Sequence, residues 1–179
     1  MENNFKTTIG EKTVIKGKKS FLTHIDKTLL LCFSVPFFSM ILIYCCMTVW
    51  PVGKNSVLVL DLNAQYVYYF EELRRIITEG GSLLYSFSRA LGGEFMGIFA
   101  YYLSSPFSLL VALFPKEAIT EALYLILLLK TAFCGLTFGF YLKKKVSLRP
   151  LYIIMLSSMY ALSSFAIVMQ HNLMWMDNV

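Results

Sequence analysis

The sequence predicts an all-α, polytopic membrane protein with three full transmembrane helices, and broken and juxtamembrane helices on the outer side between the first two. Three observations carry that prediction. The chain of 179 residues is 57% hydrophobic and only 15% charged, with a mean hydropathy of +0.62, whereas soluble domains run near ~25% charged. With aromatics at 16%, the apolar excess cannot be hidden in one small core, and lipid is its natural solvent. Three runs are long and apolar enough to cross the ~30 Å hydrocarbon layer. Finally, the basic residues gather in two segments, as the positive-inside rule requires of cytoplasmic ones.

Residues 1–27 are polar and rich in lysine (Lys6, Lys12, Lys16, Lys18, Lys19, Lys27); too little apolar surface is present for a core, so a cytoplasmic basic tail is expected. The membrane domain then occupies residues 28–179. Its first span, about 28–50, has no short apolar region with an A-x-A-like cleavage site and reads as a permanent helix rather than a signal peptide. Pro36 is positioned to kink it, and Trp50-Pro51 marks its exit. Phe95–Phe114 is apolar but interrupted by Ser104-Ser105-Pro106. The second span, about 118–142, contains Lys130 and ends on Lys143-Lys144-Lys145. The third, about 151–169, follows Arg149-Pro150.

Topology turns on the interrupted segment. Were Phe95–Phe114 a full crossing, the basic loop 143–149 would face outside. If it dips into the outer interface and returns, that loop joins the basic tail in the cytoplasm and the loop 51–117 is extracytoplasmic, which satisfies the positive-inside rule at both segments. Non-helical backbone at Ser104–Pro106 then requires cover by protein or a wet cavity.

The net charge of +5 is explained by this segregation, and no RRM-like, zinc-finger or helix-turn-helix pattern points to nucleic acid. The four cysteines, Cys32, Cys45, Cys46 and Cys134, lie in apolar runs without CxxC spacing and read as small buried hydrophobes. P-loop, GxSxG and HExxH signatures are absent.

Chemistry centres on Val57–Tyr69, VLVLDLNAQYVYY. Leu62, Tyr66, Tyr69, Phe70, Leu73, Ile76 and Ile77 repeat with helical spacing, predicting an amphipathic helix over Leu62–Glu79 that lies at the membrane surface and ends at Gly80-Gly81. Asp61 begins it. One reading makes Asp61 the N-cap, worth ~1 kcal/mol; the other makes it a general base that accepts a proton from an acceptor hydroxyl. Periodicity does not separate the two. Lys130, near the middle of its span and too deep to snorkel, calls for a partner or a cavity. His171 and Asp177 share the outer side, but residues six apart do not share a helix face well enough to make a metal site with Asp61.

Asp61-Leu62-Asn63-Ala64-Gln65-Tyr66, Leu84-Tyr85-Ser86-Phe87-Ser88, Leu91-Gly92-Gly93 and Tyr101-Tyr102-Leu103-Ser104-Ser105-Pro106-Phe107 together resemble the YfhO family of bacterial membrane proteins. So do the run to Tyr141-Leu142-Lys143-Lys144 and the terminal Trp175-Met176-Asp177. The family resembles the GT-C glycosyltransferase superfamily, which implies the N-terminal part of a GT-C-like fold. It further implies transfer of a sugar from a polyprenyl-phosphate carrier to an extracytoplasmic acceptor such as teichoic or lipoteichoic acid. In that superfamily a catalytic aspartate sits in the first outer loop before a juxtamembrane helix, and Asp61 matches it. Gln65 and Tyr66 match the family motif. Where the family pattern has Asn after the Gly-Gly pair, this chain carries Glu94, a second candidate carboxylate.

The mechanism so implied is a single inverting displacement. The departing lipid phosphate needs positive charge, and Arg74, Arg75 and Arg89 are the nearby outer cations. Of these Arg89 is the best candidate, since the helix arginines are placed to pair with Glu71 or Glu79. Substrate contacts are therefore expected from Gln65, Tyr66, Arg89, Glu94, His171 and Asp177. Some GT-C enzymes use a divalent ion and others do not, so a divalent metal stays open. Two other classes remain: a lipid transporter or flippase subunit with Lys130 lining a path, and a non-catalytic membrane module. Family members have many more spans, and the sequence closes without a polar tail. It is therefore expected to be the N-terminal portion of a larger protein and inactive alone.

Overall fold

The computed structural model describes residues 26–88 and 91–178, so the basic tail expected over 1–27 lies almost wholly outside the described residues. Among the described residues three helices are long and apolar enough to cross a membrane: Lys27–Cys46, Lys116–Lys145 and Pro150–His171. Helix α1 (Lys27–Cys46) starts at Asp26, whose carboxylate accepts the Thr28 N–H at 3.0 Å. It contains Pro36, as expected, and stops at Cys46, earlier than the run of apolar residues does.

The 27-residue helix α4 (Ile119–Lys145) is the hub. More than half of its apolar window is buried (56%), against 22% for the first and third spans, which present Leu30, Phe38, Leu42, Leu151, Met155 and Met159 outward. Such apolar faces belong in lipid. α1 and α4 are antiparallel. Asp26 pairs with Lys143 at one end, and Tyr44 and Trp50 pack on Tyr124 at the other, with ring centroids 5.3 and 6.1 Å apart. Gly135 and Gly139 permit the close approach: a Cβ at Gly135 would stand 2.5 Å from the Cys32 carbonyl oxygen, and one at Gly139 2.6 Å from Cys32 Sγ. This is the small-xxx-small contact of membrane helices. All four cysteines are free thiols. Cys32 and Cys134 are buried, but Cys46 is exposed, correcting the expectation that all four are packed inside.

The third span differs from the uninterrupted helix expected over 151–169. α5 (Pro150–Ala161) ends, Ser163 takes an extended backbone and its Oγ accepts the Ala166 N–H, and α6 (Ser164–Val168) restarts the helix. A hydroxyl that caps a new helix competes with continuation of the old one. A short turn then leads to α7 (Leu173–Met176), which folds back onto α4.

Between α1 and α4 lies a long connecting segment. Its helix is continuous but not uniform: α2 (Val67–Arg75) is flanked by π-helical turns at Leu62–Tyr66 and Ile76–Gly80. Its apolar face is turned into the protein, while Tyr68 stays exposed. Leu62, Tyr66, Phe70 and Leu73 are fully buried in the main core, because α4 and the interrupted segment cover that face. A hairpin of two-residue strands, β1 (Tyr85–Ser86) with β2 (Gly93–Glu94), and an isolated bridge between Val49 and Asn55 are the β-pairings among the described residues. The interrupted segment is a bent pair: Met96–Leu103, comprising α3 (Met96–Ile98) and a π turn, then the 3-10 helix Pro106–Leu113, meeting at 107°. Its corner sits beside the middle of α4, where Phe107 meets Phe133 at 5.1 Å. The second arm then climbs back to the start of α4.

Candidate functional site around Asp61

Leu60 adopts φ +46°, a turn that lets its carbonyl accept from both Asn63 N–H (3.1 Å) and Ala64 N–H (2.9 Å). Asp61 is consequently already helical, at φ −64° and ψ −30°, and its side chain makes no capping hydrogen bond. An N-cap needs an extended backbone so that the side chain can fold back onto the first turn; Asp61 lacks it. The capping reading is therefore corrected, and the carboxylate is left to project away from its own helix.

It projects toward the far end of the chain. Asn172 Nδ2 donates to Asp61 Oδ2 at 3.4 Å, while Asn172 Oδ1 accepts the Tyr66 hydroxyl proton. The Tyr66 oxygen in turn accepts the Met174 N–H at 3.3 Å. Burial, above all, pushes the Tyr66 hydroxyl upward, with the Met174 bond opposing and the nearby Asp61 and Asp177 charges adding to the rise; it acts as a fixed donor. The π turn matters here because it widens the helix between Asp61 and Tyr66, and such turns recur at functional sites. Asn172 is thus a bracket between the two. Neither Asn172 nor Met174 carries a local sequence signal that could have nominated it.

The segment bearing Asn172 is clamped on both sides. Upstream, Gln170 accepts from Tyr44 Oη at 2.8 Å and donates to Thr131 Oγ1 at 3.2 Å. Downstream, Lys130 Nζ donates to Asp177 Oδ1 at 2.7 Å and to the Leu173 carbonyl at 2.9 Å. Ser105, at the corner of the bent pair, donates to the same Asp177 oxygen at 3.0 Å. This answers the demand for a partner posed by an ammonium in mid-span. An apolar cleft of about 350 Å³ borders the site, walled by Met40, Tyr44, Leu60, Leu62, Leu127 and His171 among others.

A family model described as "Bacterial membrane protein YfhO" matches residues 32–179. The chain belongs to the YfhO family. No curated protein and no solved structure matches it. As a YfhO-family membrane protein it carries its DLxxQY motif, Asp61 to Tyr66, on the widened turn just described, with Gln65 half-buried on that turn.

The other expected site residues do not all converge there. Asp177 is held by Lys130 and Ser105. His171 keeps its Nδ1 2.5 Å from the Val168 carbonyl and lines the apolar cleft. Glu94 accepts the Gly97 N–H at 2.7 Å, at the start of α3. Arg89 lies outside the described residues. Among the described residues no group of three or more His, Cys, Asp or Glu side chains is placed to hold a metal ion.

A second polar cluster stands at the other end of α2, around a cavity of about 290 Å³. Glu72 is buried there. Its oxygens receive both Arg75 Nε (2.9 Å) and Nη2 (2.7 Å), and Ser86 donates to it as well. The Arg75 bonds, chiefly, hold the Glu72 carboxyl at about 2 against the opposing effect of burial, helped by Ser86 and Ser88. Arg74 donates to the Phe114 carbonyl at 2.6 Å and pairs with Glu79 at 3.4 Å. Both helix arginines are thereby engaged within the protein.

Proposed function

We propose that this YfhO-family chain forms the catalytic-aspartate region of a membrane glycosyltransferase that moves a sugar from a polyprenyl-phosphate carrier to an extracytoplasmic acceptor such as teichoic or lipoteichoic acid. The observation that carries the reading is the state of Asp61. Its carboxylate is not consumed by helix capping, and the Asn172–Tyr66 bracket orients it through a single long hydrogen bond.

A carboxylate so held is suited to accept the proton of an acceptor hydroxyl. The hydroxyl oxygen then attacks the anomeric carbon, and the bond from that carbon to the carrier phosphate breaks with its electron pair leaving on the phosphate. The configuration inverts. The apolar cleft beside Leu60 and Leu62 offers a place for the carrier's hydrocarbon chain. Arg74 and Arg75 are occupied by Phe114, Glu79 and Glu72, and the reading keeps Arg89 as the cation for the leaving phosphate. Lys143–Lys145 and Arg149 cluster at the end of the bundle where α1 begins, supporting a cytoplasmic assignment for that end and an extracytoplasmic one for residues 51–117.

The test is Asp61→Asn in the full-length chain, assayed for sugar transfer from a polyprenyl-phosphate sugar. The reading expects a fall of roughly 10²–10⁴-fold, the range for loss of a general base, with expression and donor binding retained. Unchanged transfer refutes it. A second reading, a lipid transporter, draws on the cavity of about 350 Å³ lined by Lys130, Asp177, Phe107, Phe133 and Thr137. That reading requires Lys130→Leu to impair function more than Asp61→Asn.

A further inference from the structure

At the end of the bundle where α1 stops and α4 starts, a separate cavity of about 430 Å³ is walled by Trp50, Lys54, Asn55, Thr120, Glu121 and Tyr124, with smaller contributions from neighbouring residues. It touches the Asp61 cleft only along Val49, Ser56 and Val57, and none of the chemistry above uses it.

One wall is a turn held in a single shape. Trp50 N–H donates to the Asn55 carbonyl at 3.0 Å and Asn55 N–H to the Thr48 carbonyl at 3.1 Å. Asn55 Nδ2 reaches the Met47 carbonyl and Thr48 Oγ1, both at 2.9 Å. Gly53 packs so closely on Thr48 that no side chain fits there. The opposite wall is the first turn of α4. Tyr124 stands edge-on to Trp50, the ring planes at 88°. Such a cavity is preorganised, which lowers the cost of ordering it around a ligand.

One polar atom of its lining residues is unsatisfied. Glu121 Oε2 is shielded from solvent and is the sole buried side-chain oxygen or nitrogen among the described residues without a hydrogen-bond partner. A shielded acceptor in that condition is destabilising until a donor arrives. Indole and phenol rings beside a carboxylate favour a cationic donor over a neutral one. Lys54, exposed at the rim, makes no ion pair among the described residues and offers its ammonium to an anion. The lip around it is apolar and outward-facing: Met47, Trp50 and Val52 are 60%, 46% and 61% exposed, suited to hydrocarbon rather than water.

We propose that this cavity binds the headgroup of a zwitterionic phospholipid of the phosphoethanolamine type. The primary ammonium donates to Glu121 between Trp50 and Tyr124, the phosphate lies at Lys54, and the acyl chains run along Met47 and Val52. A quaternary ammonium keeps the attraction to the rings but has no N–H for Glu121 Oε2. An uncharged glycerol headgroup loses the cation altogether.

The test uses the full-length chain, extracted from bilayers containing equal amounts of phosphatidylethanolamine, phosphatidylcholine and phosphatidylglycerol, with retained lipid counted by native mass spectrometry. Phosphatidylethanolamine should be retained about tenfold over either competitor, the scale of one charge-assisted hydrogen bond. Glu121→Gln should abolish the preference, and Lys54→Ala should weaken retention of phosphatidylethanolamine several-fold. Equal retention of the three lipids, or a preference that survives Glu121→Gln, overturns the proposal. Should Glu121→Gln fail to fold, judged by its thermal midpoint, Lys54→Ala decides, since the exposed Lys54 supports nothing in the fold. Free O-phosphoethanolamine that binds as tightly as the phospholipid overturns the lipid as the occupant; displacement only at far higher concentration supports it.

Discussion

The Lys130 ammonium and the Asp177 carboxylate stand 2.7 Å apart, one in the middle of the central helix and the other just past α7. Because Asn172 precedes α7, the pair closes a loop whose other attachment is the contact of Asn172 with Asp61. The ion pair in mid-span and the orientation of the candidate base are therefore two ends of one mechanical connection.

Lys130→Leu is expected to destabilise the protein by about 2–4 kcal/mol. That is below the ~3–5 kcal/mol for breaking a fully buried pair, because the Asp177 side chain is 39% exposed. Asp177→Asn should cost less, since the amide still accepts from Lys130 and Ser105. Thermal unfolding of both single variants and of the double variant in one detergent checks this. Additive effects would show that the two residues are not coupled.

On the proposed reading, Asn172 is a positioning residue for Asp61. Asn172→Ala should lower sugar transfer by about tenfold at unchanged donor affinity, the scale of one lost orienting hydrogen bond. Asn172→Asp places a second negative charge beside Asp61 and should move the acidic limb of the pH–activity profile to higher pH. A purely structural asparagine would change the thermal midpoint and leave that limb in place.

Glu72 makes the hairpin region sensitive to acid. Its carboxyl is held at about 2 rather than the ordinary 4.5. A lowered acid pKa contributes stability that is complete above the unfolded value and is lost as pH falls through the folded one. Protection of the Val67–Glu94 amides from hydrogen exchange should therefore decline between about pH 5 and pH 2. Glu72→Gln should remove that dependence and cost about 1–2 kcal/mol, the lower part of the charge-assisted range because Arg75 remains 42% exposed.

The glycine contact between α1 and α4 gives two graded outcomes. Gly135→Ala presses a methyl on the Cys32 backbone oxygen, whereas Gly139→Ala presses on the Cys32 thiol and Cβ. Overpacking of this kind costs about 1–3 kcal/mol, partly offset by alanine's better helix propensity. Cys32→Gly should rescue Gly139→Ala and leave Gly135→Ala unrescued, read as thermal midpoints.

Much of this architecture is legible from sequence because its cause is local or compositional. Apolar runs longer than the bilayer is thick declare the three spans, and Ser104-Ser105-Pro106 declares the corner, since proline and paired serines interrupt a helix wherever they stand. Helical spacing from Leu62 to Ile77 announces the helix after Asp61 and most of its buried face. The same spacing is silent about Glu72, because it cannot know that Ser86 and Arg75 will receive a carboxylate on the inner side.

The composition and periodicity of this chain determined that it lives in a membrane, where its helices lie, and that Asp61 opens the helix of the DLxxQY motif. Only the tertiary structure decided that Asp61 is not a cap, that Asn172 and Tyr66 orient it, and that Lys130 answers to Asp177. Those relations join residues more than forty positions apart. No periodic pattern encodes such a distance; the packing of α7 against α4 and the Asp61 turn does.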